Sequence, residues 1–208
     1  MRITAATAIV LVLAGAPALA QGIPNTAEQP GQAESARIKA GTYRLDPAHT
    51  QVSWTVNHLG FSMLGGMFGA SEGSITIDPA RLSDAKVDVT FRIDQLSATD
   101  AAFATHLHSP DFFDVGRYPT AHFVSTSVKP GGPNTATIAG DLTIKDRTRP
   151  VTIEARFVGA GINPMDNKLN FGFLGAASIK RSDFGVGGNA PLVSDDVRLG
   201  INAAFAAP

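Results

Sequence analysis

The residues of this sequence that most readily suggest chemistry are its five histidines, His49, His58, His106, His108 and His122. His106 and His108 are two residues apart, and on a β-strand that spacing would place both imidazoles on one face, as a zinc site could use. The pair precedes a proline in what reads as a loop, with no third ligand at a fixed spacing and no glutamate close by as a base. We expect no metal, and the alternative is a metal-dependent enzyme built on His106, His108 and His58 or His122.

Nucleophilic catalysis has little support in the sequence. The chain has no cysteine, no serine in a strand-to-helix elbow of the G-x-S-x-G kind, and no glycine-rich phosphate loop opening a helix. The formal net charge of −1 gives no reason to expect nucleic acid or an anionic membrane surface as a partner. We therefore expect no catalytic residue and no cofactor, and look for binding instead.

An alternation of apolar and polar residues dominates the chain from residue 51 onward. Between Lys86 and Asp94 every second residue is apolar, which is how a strand with one dry and one wet face reads. The pattern recurs in about eight segments, which carry Val52, Trp54 and Val56; Ile75 and Ile77; Val87 to Ile93; Phe123 to Val128; Ile138, Leu142 and Ile144; Val151 to Phe157; Leu169 to Ile179; and Val197 to Phe205. The sequence predicts an all-β, antiparallel fold.

About eight twisted strands joined by short turns can close into a barrel, which removes the exposed edges of the sheet. A two-sheet sandwich is the alternative, because sandwiches show the same alternation. The predicted strands are long, and their dry face mixes phenylalanine with small residues, namely Gly140, Ala155, Gly175, Ala177 and Ala203. Small residues on an inner face leave space, so we favour a barrel with room for one ligand.

Two stretches depart from the alternation. Residues 97–107 are rich in alanine and predict a short helix. Residues 59–69, LGFSMLGGMFG, combine apolar side chains with four glycines and suggest an apolar loop. Such a loop would either plug one end of the barrel or act as an adaptable gate, because methionine conforms to a flexible guest.

The N-terminal residues are typical of an export signal. Residues 1–20 contain Arg2, an apolar stretch and the small-residue site Ala18-Leu19-Ala20, which predicts a cleaved signal peptide; an uncleaved membrane anchor is the alternative. Residues 21–40 predict a disordered linker, and residues 41–208 a single domain. We expect the protein in a bacterial periplasm.

Four blocks of the sequence together resemble the YceI family. They are DPAHTQVSWTVNHLGFSMLGGMFG (46–69), THLHSPDFFDVGRYPTAHFVST (105–126), GDLTIKDRTRPVTI (140–153), and RSDFGVG (181–187) followed by VSDDVRLGI (193–201). The resemblance implies a lipocalin-like barrel, exported to the periplasm, whose lumen holds a polyisoprenoid chain such as a prenyl diphosphate or a quinone tail. Residues 101–105 and 145–148 depart from the family pattern, which puts head-group contacts in doubt.

The binding site predicted from these observations is an apolar lumen with a polar rim. Its apolar wall and gate comprise Trp54, Phe61, Met63, Met67, Phe91, Phe112, Phe113, Phe123, Phe157, Phe171, Phe173 and Phe184. The rim comprises His58, which continues the inward register of Trp54, and Arg181, which would either pair with Asp183 or meet an anionic head group. Phe112 and Phe113 would either pin their loop to the barrel or line the entrance.

The expected partner is a long-chain isoprenoid lipid, supplied or collected by a membrane or a membrane protein. Each buried methylene is worth about 0.8 kcal/mol, so a long chain binds through its tail. A barrel with a filled core that acts through its surface, as a stress or partner-binding protein, is a third hypothesis. Barrels of this kind can pair through exposed strands or loops, which leaves a homodimer open.

Overall fold

The computed structural model describes residues 29–208; the predicted signal peptide and the first part of the predicted linker lie outside the described residues. The described chain is built mainly of strands. They are β1 (Gly41–Leu45), β2 (Gln51–His58), β3 (Ser62–Ile77), β4 (Lys86–Ala98), β5 (Thr120–Pro130), β6 (Thr135–Ile144), β7 (Arg147–Ile162), β8 (Leu169–Lys180) and β9 (Asp196–Ala206), with one helix, α1 (Ala101–His108), between β4 and β5. Single 3-10 turns occupy Ser35–Arg37, Leu82–Asp84 and Arg181–Phe184.

The strands form one closed antiparallel barrel. Each strand from β2 to β9 pairs with its neighbour in sequence, and β2 also pairs with β9. The strand β1 pairs with the same two partners as β2, through Gly41 with Ile77 of β3 and Leu45 with Phe205 of β9. Strands β1 and β2 are therefore two halves of one position in an eight-position barrel. The barrel prediction is confirmed, and closure excludes the two-sheet sandwich.

The two ends of the barrel carry different segments. The end that we call the helix end carries the β2–β3 turn, α1 with the loop that follows it, and the segment 181–195. The opposite end, which we call the tether end, carries the N-terminal segment 29–40 and the β3–β4, β5–β6 and β7–β8 turns. None of the helices in the described chain is long and apolar enough to cross a membrane.

The apolar core is divided between these ends. At the helix end, Trp54 lies with its ring centre 6.5 Å from Phe68 and 6.4 Å from Phe103. At the tether end, Phe171 packs edge-on against Tyr43 at 4.7 Å and stacks with Phe205 at 5.8 Å. Residues of both clusters line the lumen.

The segment 59–69 is not the loop that its composition suggested. Only residues 59–61 form a turn, and β3 begins at Ser62. Leu59 and Gly60 take positive φ values of 57° and 74°, and these left-handed conformations close a tight hairpin. Glycine adopts such a conformation without strain. The apolar side chains of this segment alternate between the two faces of a strand, which explains why their number was mistaken for a loop signal.

The helix predicted within residues 97–107 is confirmed, but it begins at Ala101. Ser97 and Ala98 belong to β4, and α1 begins after Asp100, whose carboxylate accepts a hydrogen bond from the Phe103 backbone N–H at 2.9 Å. This is an N-cap, which satisfies one of the free donors in the first turn.

The prediction of a disordered linker is wrong for its described part. Gln32 and Ala160 of β7 exchange two backbone hydrogen bonds, at 3.0 and 2.9 Å. The Ile38 side chain is 4% exposed and belongs to the tether-end core. The linker prediction relied on polar composition, which does not reveal a single buried isoleucine or a backbone bridge.

Candidate functional site

The barrel encloses an elongated cavity of about 650 Å³. Its wall is made almost wholly of aliphatic and aromatic side chains contributed by every strand. The volume lies in the range of about 300–1,000 Å³ that is usual for ligand pockets. Exposed residues line it at both ends, His106 and Asn189 at the helix end and Gly131 and Thr135 at the tether end. The cavity therefore runs the length of the barrel.

The register of the β2–β3 hairpin decides which side chains enter the lumen. Val52, Trp54 and Val56 pair with Phe68, Gly66 and Leu64, and directly paired residues share a face. Leu64 and Phe68 consequently line the cavity beside Trp54. A side chain at Gly66 would lie 2.8 Å from the Trp54 ring carbon Cζ2, so this position needs glycine.

The predicted lumen and gate residues Phe61, Met63 and Met67 are placed wrongly by the sequence. Met63 and Met67 pair with the outward residues Asn57 and Ser53, and their side chains are 52% and 46% exposed. Phe61 is at the hairpin tip and is 88% exposed. The prediction assigned the two methionines of β3 to the wrong face of the strand. Alternate residues of a strand point to opposite faces, and unless residues 59–61 are known to be the turn, the inward residues of β3 cannot be told from the outward ones.

Most of the other predicted site residues do face the cavity. Those that line it are Trp54, Phe91, Phe112, Phe113, Phe123, Phe157, Phe173 and Phe184, together with the predicted rim residues His58 and Arg181. Phe171 does not line it. The Phe171 ring is 3% exposed and is enclosed by Tyr43, Phe173 and Phe205, so it fills the tether end instead of bounding the space.

The small inner residues act in two ways. Ala155, Gly175, Ala177 and Ala203 line the cavity, as expected from residues that leave space. Gly140 faces inward but is covered by the Phe123 ring, which a Cβ at this position would overlap. The explanation of the void by small residues holds for four of the five positions.

Residues of α1 add to the wall at the helix end and were not predicted. Phe103 and Leu107 both line the cavity, and Leu107 is buried. They are four residues apart, which places them on one helix face. That spacing, following the N-cap Asp100, was a readable signal once the segment was taken as a helix.

Arg181 lines the cavity but its guanidinium is engaged by the protein. It donates hydrogen bonds to four backbone carbonyls, those of Ser194 at 2.8 Å and of Val186, Gly188 and Val193 at 2.7 Å each. The side chain is buried, and burial lowers the pKa of the guanidinium. An arginine nevertheless stays charged at neutral pH. Arg181 therefore organises the segment 181–195 in place of pairing with Asp183.

The carboxylate that accepts hydrogen bonds within this segment is that of Asp195, and its donor is Ser182. Its carboxylate accepts hydrogen bonds from the Ser182 backbone N–H at 2.9 Å and from the Ser182 hydroxyl at 2.7 Å. These bonds hold the pKa of Asp195 below its usual range. The sequence offered Asp183 as one of two alternatives for Arg181, whereas the fold brings Asp195 to the turn.

Two buried polar atoms near the helix end have no hydrogen-bond partner in the described part of the chain. They are the Trp54 indole nitrogen Nε1 and the His108 nitrogen Nε2. The indole is an N–H donor, and a buried donor without a partner costs about 1–3 kcal/mol. The Trp54 Nε1 atom is buried within the protein, although other atoms of the Trp54 ring line the cavity.

The histidines do not converge on a metal site. His106 and His108 lie on α1, where two residues subtend about 200°, so their side chains diverge. His106 packs edge-on against Phe112 at 4.7 Å, and the His122 Nε2 lies 2.7 Å from an Asp88 carboxylate oxygen. Within residues 29–208 no three His, Asp or Glu side chains are grouped to hold a metal.

Ser71 is not placed as a nucleophile, although the letters G-x-S-x-G do occur at 69–73. These residues lie inside β3 and lead into no helix, and the Ser71 hydroxyl donates to the Thr90 carbonyl at 3.3 Å. They form no nucleophile elbow.

The interior of the barrel is not filled by side chains. A barrel with a filled core would enclose no internal space, and the cavity of about 650 Å³ contradicts that hypothesis.

These features define a class of protein: a closed antiparallel barrel of eight positions with a continuous apolar lumen. The family model described as the YceI-like domain matches residues 43–205. The chain belongs to the YceI family.

Relatives in two bacteria support this assignment. The chain is 39% identical over 156 residues to a UPF0312 protein of Pseudomonas fluorescens, a match that covers 72% of this chain and 78% of that protein. It is 35% identical over 164 residues to a UPF0312 protein of Shewanella denitrificans, covering 78% and 85%.

Solved structures share the fold. Burkholderia cenocepacia BcnA matches with a TM-score of 0.67 at 26% identity, over 77% of this chain and 98% of that one. The Campylobacter jejuni YCEI protein matches with a TM-score of 0.58 at 28% identity, over 68% and 81%. A polyisoprenoid binding domain from Saccharophagus degradans matches with a TM-score of 0.59 over 80% and 98%, and at 10% identity it shows the fold alone.

Proposed function

We propose that this protein is an exported binding protein that holds one long isoprenoid lipid in its lumen and catalyses no reaction. The continuous apolar cavity of about 650 Å³ carries this proposal, because a space of that size and chemistry favours a long apolar guest. The likeness to a polyisoprenoid binding domain agrees with it.

The length of the lumen sets the length of the chain that fits. Along β5 the wall extends from Ala121 to Pro130, which is about 30 Å of strand and about 23 Å along the axis at the usual barrel tilt. An extended chain advances about 1.2 Å per bond, so an isoprene unit of four bonds takes about 5 Å. An extended tail of about four or five units would span the lumen from end to end.

The polar atoms of the wall favour a neutral head group over a diphosphate. Among the described wall residues, Arg181 is the only lysine or arginine, and four backbone carbonyls already accept hydrogen bonds from four of its five N–H donors. A buried diphosphate without paired cations would be strongly unfavourable. A quinone carries no formal charge and needs no paired cation in such a wall.

We further propose that residues 1–20 direct export to the periplasm and that a membrane supplies or receives the lipid. The apolar stretch and the Ala18-Leu19-Ala20 site support export. Cell fractionation and N-terminal sequencing of the purified protein test it; a protein that stays in the cytoplasm with Met1 in place would contradict it.

The single tryptophan offers a direct test of lipid binding, because Trp54 lines the lumen. We expect saturable quenching of its fluorescence by a quinone with a four-unit prenyl tail, and weaker binding of geranylgeranyl diphosphate, which has the same tail. Native mass spectrometry of protein purified from its host should show one lipid per chain. A lumen that ignores both compounds and purifies empty would reject the proposal, and equal affinity for both would reject the neutral head group.

A further inference from the structure

An exposed apolar patch lies at the helix end, on the outside of the barrel. It consists of Phe61 at the β2–β3 tip, 88% exposed, Leu192 at 65%, Met63 at 52%, Met67 at 46% and Leu59 at 42%. The Leu59 backbone N–H donates to the Leu192 carbonyl at 2.9 Å, which joins the hairpin tip to the segment 181–195. We call these five side chains the tip patch.

The hairpin that carries the tip patch has no formal charge. Between Asp46 and Glu72 the sequence contains no Asp, Glu, Lys or Arg, in a chain that has 35 of them, 17 basic and 18 acidic. A surface without charges can leave water without the desolvation penalty that a charge would impose. The tip is therefore suited to an apolar phase.

The backbone of the tip is also prepared to leave water. The Gly60 N–H donates to the Asn57 side-chain oxygen at 2.7 Å, and the Phe61 N–H to the His58 carbonyl at 3.0 Å. With the bond from Leu59 to Leu192, all three turn N–H groups have partners inside the protein, which lowers the cost of moving these donors out of water. A strand-pairing protein partner would instead need free N–H groups.

The tip patch adjoins the lumen. His58 and Val193, which form a backbone bridge next to Leu59 and Leu192, both line the cavity. An apolar guest that left the lumen here would meet the tip patch before it met bulk water.

We propose that the tip patch docks the protein on a lipid bilayer, so that the lumen is loaded and emptied at the helix end. The inference rests on the proposed function for the identity of the cargo. The occupant is the bilayer, because four of the five patch residues lie on a hairpin without formal charge, whose turn N–H groups have partners, beside an apolar lumen. An aromatic tip residue that enters the membrane interface fits this role.

The barrel supplies a matched control at its other end. Met165 is 90% exposed and Ile162 is 52% exposed, on the β7–β8 turn of the tether end. Asp166 and Lys168 follow Met165, so this apolar pair is exposed beside charges. We expect it to play no part in docking.

The test compares flotation of the mature chain with neutral phosphatidylcholine vesicles. The variants are the double substitutions Phe61→Ser with Leu192→Ser, and Met165→Ser with Ile162→Ser. We expect the first to lower vesicle binding at least about tenfold, since each removes a side chain that enters lipid, and the second to leave it unchanged. Raising the salt concentration should have little effect, because the tip is uncharged. Both variants should keep the wild-type melting temperature, since all four positions are exposed.

Several results would overturn the proposal: no flotation of the wild type, an equal loss in both variants, or a stable dimer in sedimentation velocity that Phe61→Ser with Leu192→Ser dissociates. Quinone titration without vesicles separates docking from cargo binding. Protein that binds quinone but does not float disproves docking and leaves the proposed function intact. Protein that floats but binds neither quinone nor geranylgeranyl diphosphate and purifies empty supports docking and rejects the proposed function.

Discussion

The two ends of the barrel contain similar rings in different settings. At the tether end, Tyr43 and Phe205 project from β1 and β9 onto Phe171 of β8, and all three are at most 5% exposed. At the helix end, Phe103 stands on α1 and Phe113 on the loop that follows it, and both are only half-buried.

The difference lies in what fixes the rings. Tether-end rings are fixed by strand ladders, whose backbone hydrogen bonds run to the end of the barrel. Helix-end rings are fixed in two ways. Trp54 and Phe68 stand on the β2–β3 ladder, whereas Phe103 stands on an eight-residue helix and Phe184 lies in the segment held by the Arg181 bonds to four loop carbonyls. A ring on a ladder cannot move without breaking the sheet, whereas a ring on a loop can. The tether end therefore stabilises the fold, and the helix end can admit a guest.

The largest loss of stability should follow from removing a ring of the tether-end cluster. Phe171→Ala removes a ring that is 3% exposed and does not line the cavity, so we expect a loss of about 4 kcal/mol in the free energy of unfolding. Urea denaturation measures it. Quinone affinity of the folded fraction should be unchanged, and a clear loss of affinity would show that the two ends are not separate in function.

Arg181→Lys should cause the next largest loss in the free energy of unfolding. A lysine ammonium cannot reach four carbonyls arranged around a guanidinium, so buried acceptors lose their donors and we expect a loss of about 3 kcal/mol. Arg149→Lys serves as the control, because that exposed side chain bonds only the carbonyl of Thr148. Comparable stability of both variants would refute the organising role given to Arg181.

Phe68→Ala should lower the free energy of unfolding less than Phe171→Ala does, and it should weaken quinone binding more. Phe68 lines the cavity and is half-buried, so its removal enlarges an existing space, with an expected loss of about 1–2 kcal/mol. The guest loses the contact area of one ring, and we expect about tenfold weaker quinone binding. Trp54 fluorescence titration measures the affinity. If Phe68→Ala destabilised the fold as much as Phe171→Ala, the contrast between the ends would fail.

Part of this fold could be predicted from the sequence. The alternation in Lys86 to Asp94 and in Leu169 to Ile179 predicted strands that the structure contains as β4 and β8. The inward set of β3 could not be predicted, because a shift of one residue exchanges Phe68 for Met67. Only the three-residue turn at 59–61 settles the parity.

The smallest effect concerns the Asp195 carboxylate. Its pKa is lowered in the folded state, so its contribution to stability is present above the unfolded pKa of about 3.9 and is lost as pH falls through the lower folded value. Asp195→Asn should cost about 1 kcal/mol at neutral pH, and the difference from wild type should shrink in acid. Asp183→Asn, at an exposed position of the same turn, is the control variant. Parallel unfolding curves at neutral and acidic pH decide between them.

The sequence by itself determined most of the strands and their antiparallel, one-face-apolar character, because alternation is a local property with a period of two. Closure into a barrel was favoured by the sequence and decided by the structure, since a sandwich shows the same alternation. It also carried the motifs that identify the family. The tertiary structure alone decided that Arg181 serves four carbonyls 5–13 residues away, that Phe171 fills one end, and that Phe61 stands outside. These depend on register, turn length and loop folding, which bring distant residues together and leave no periodic trace in the chain.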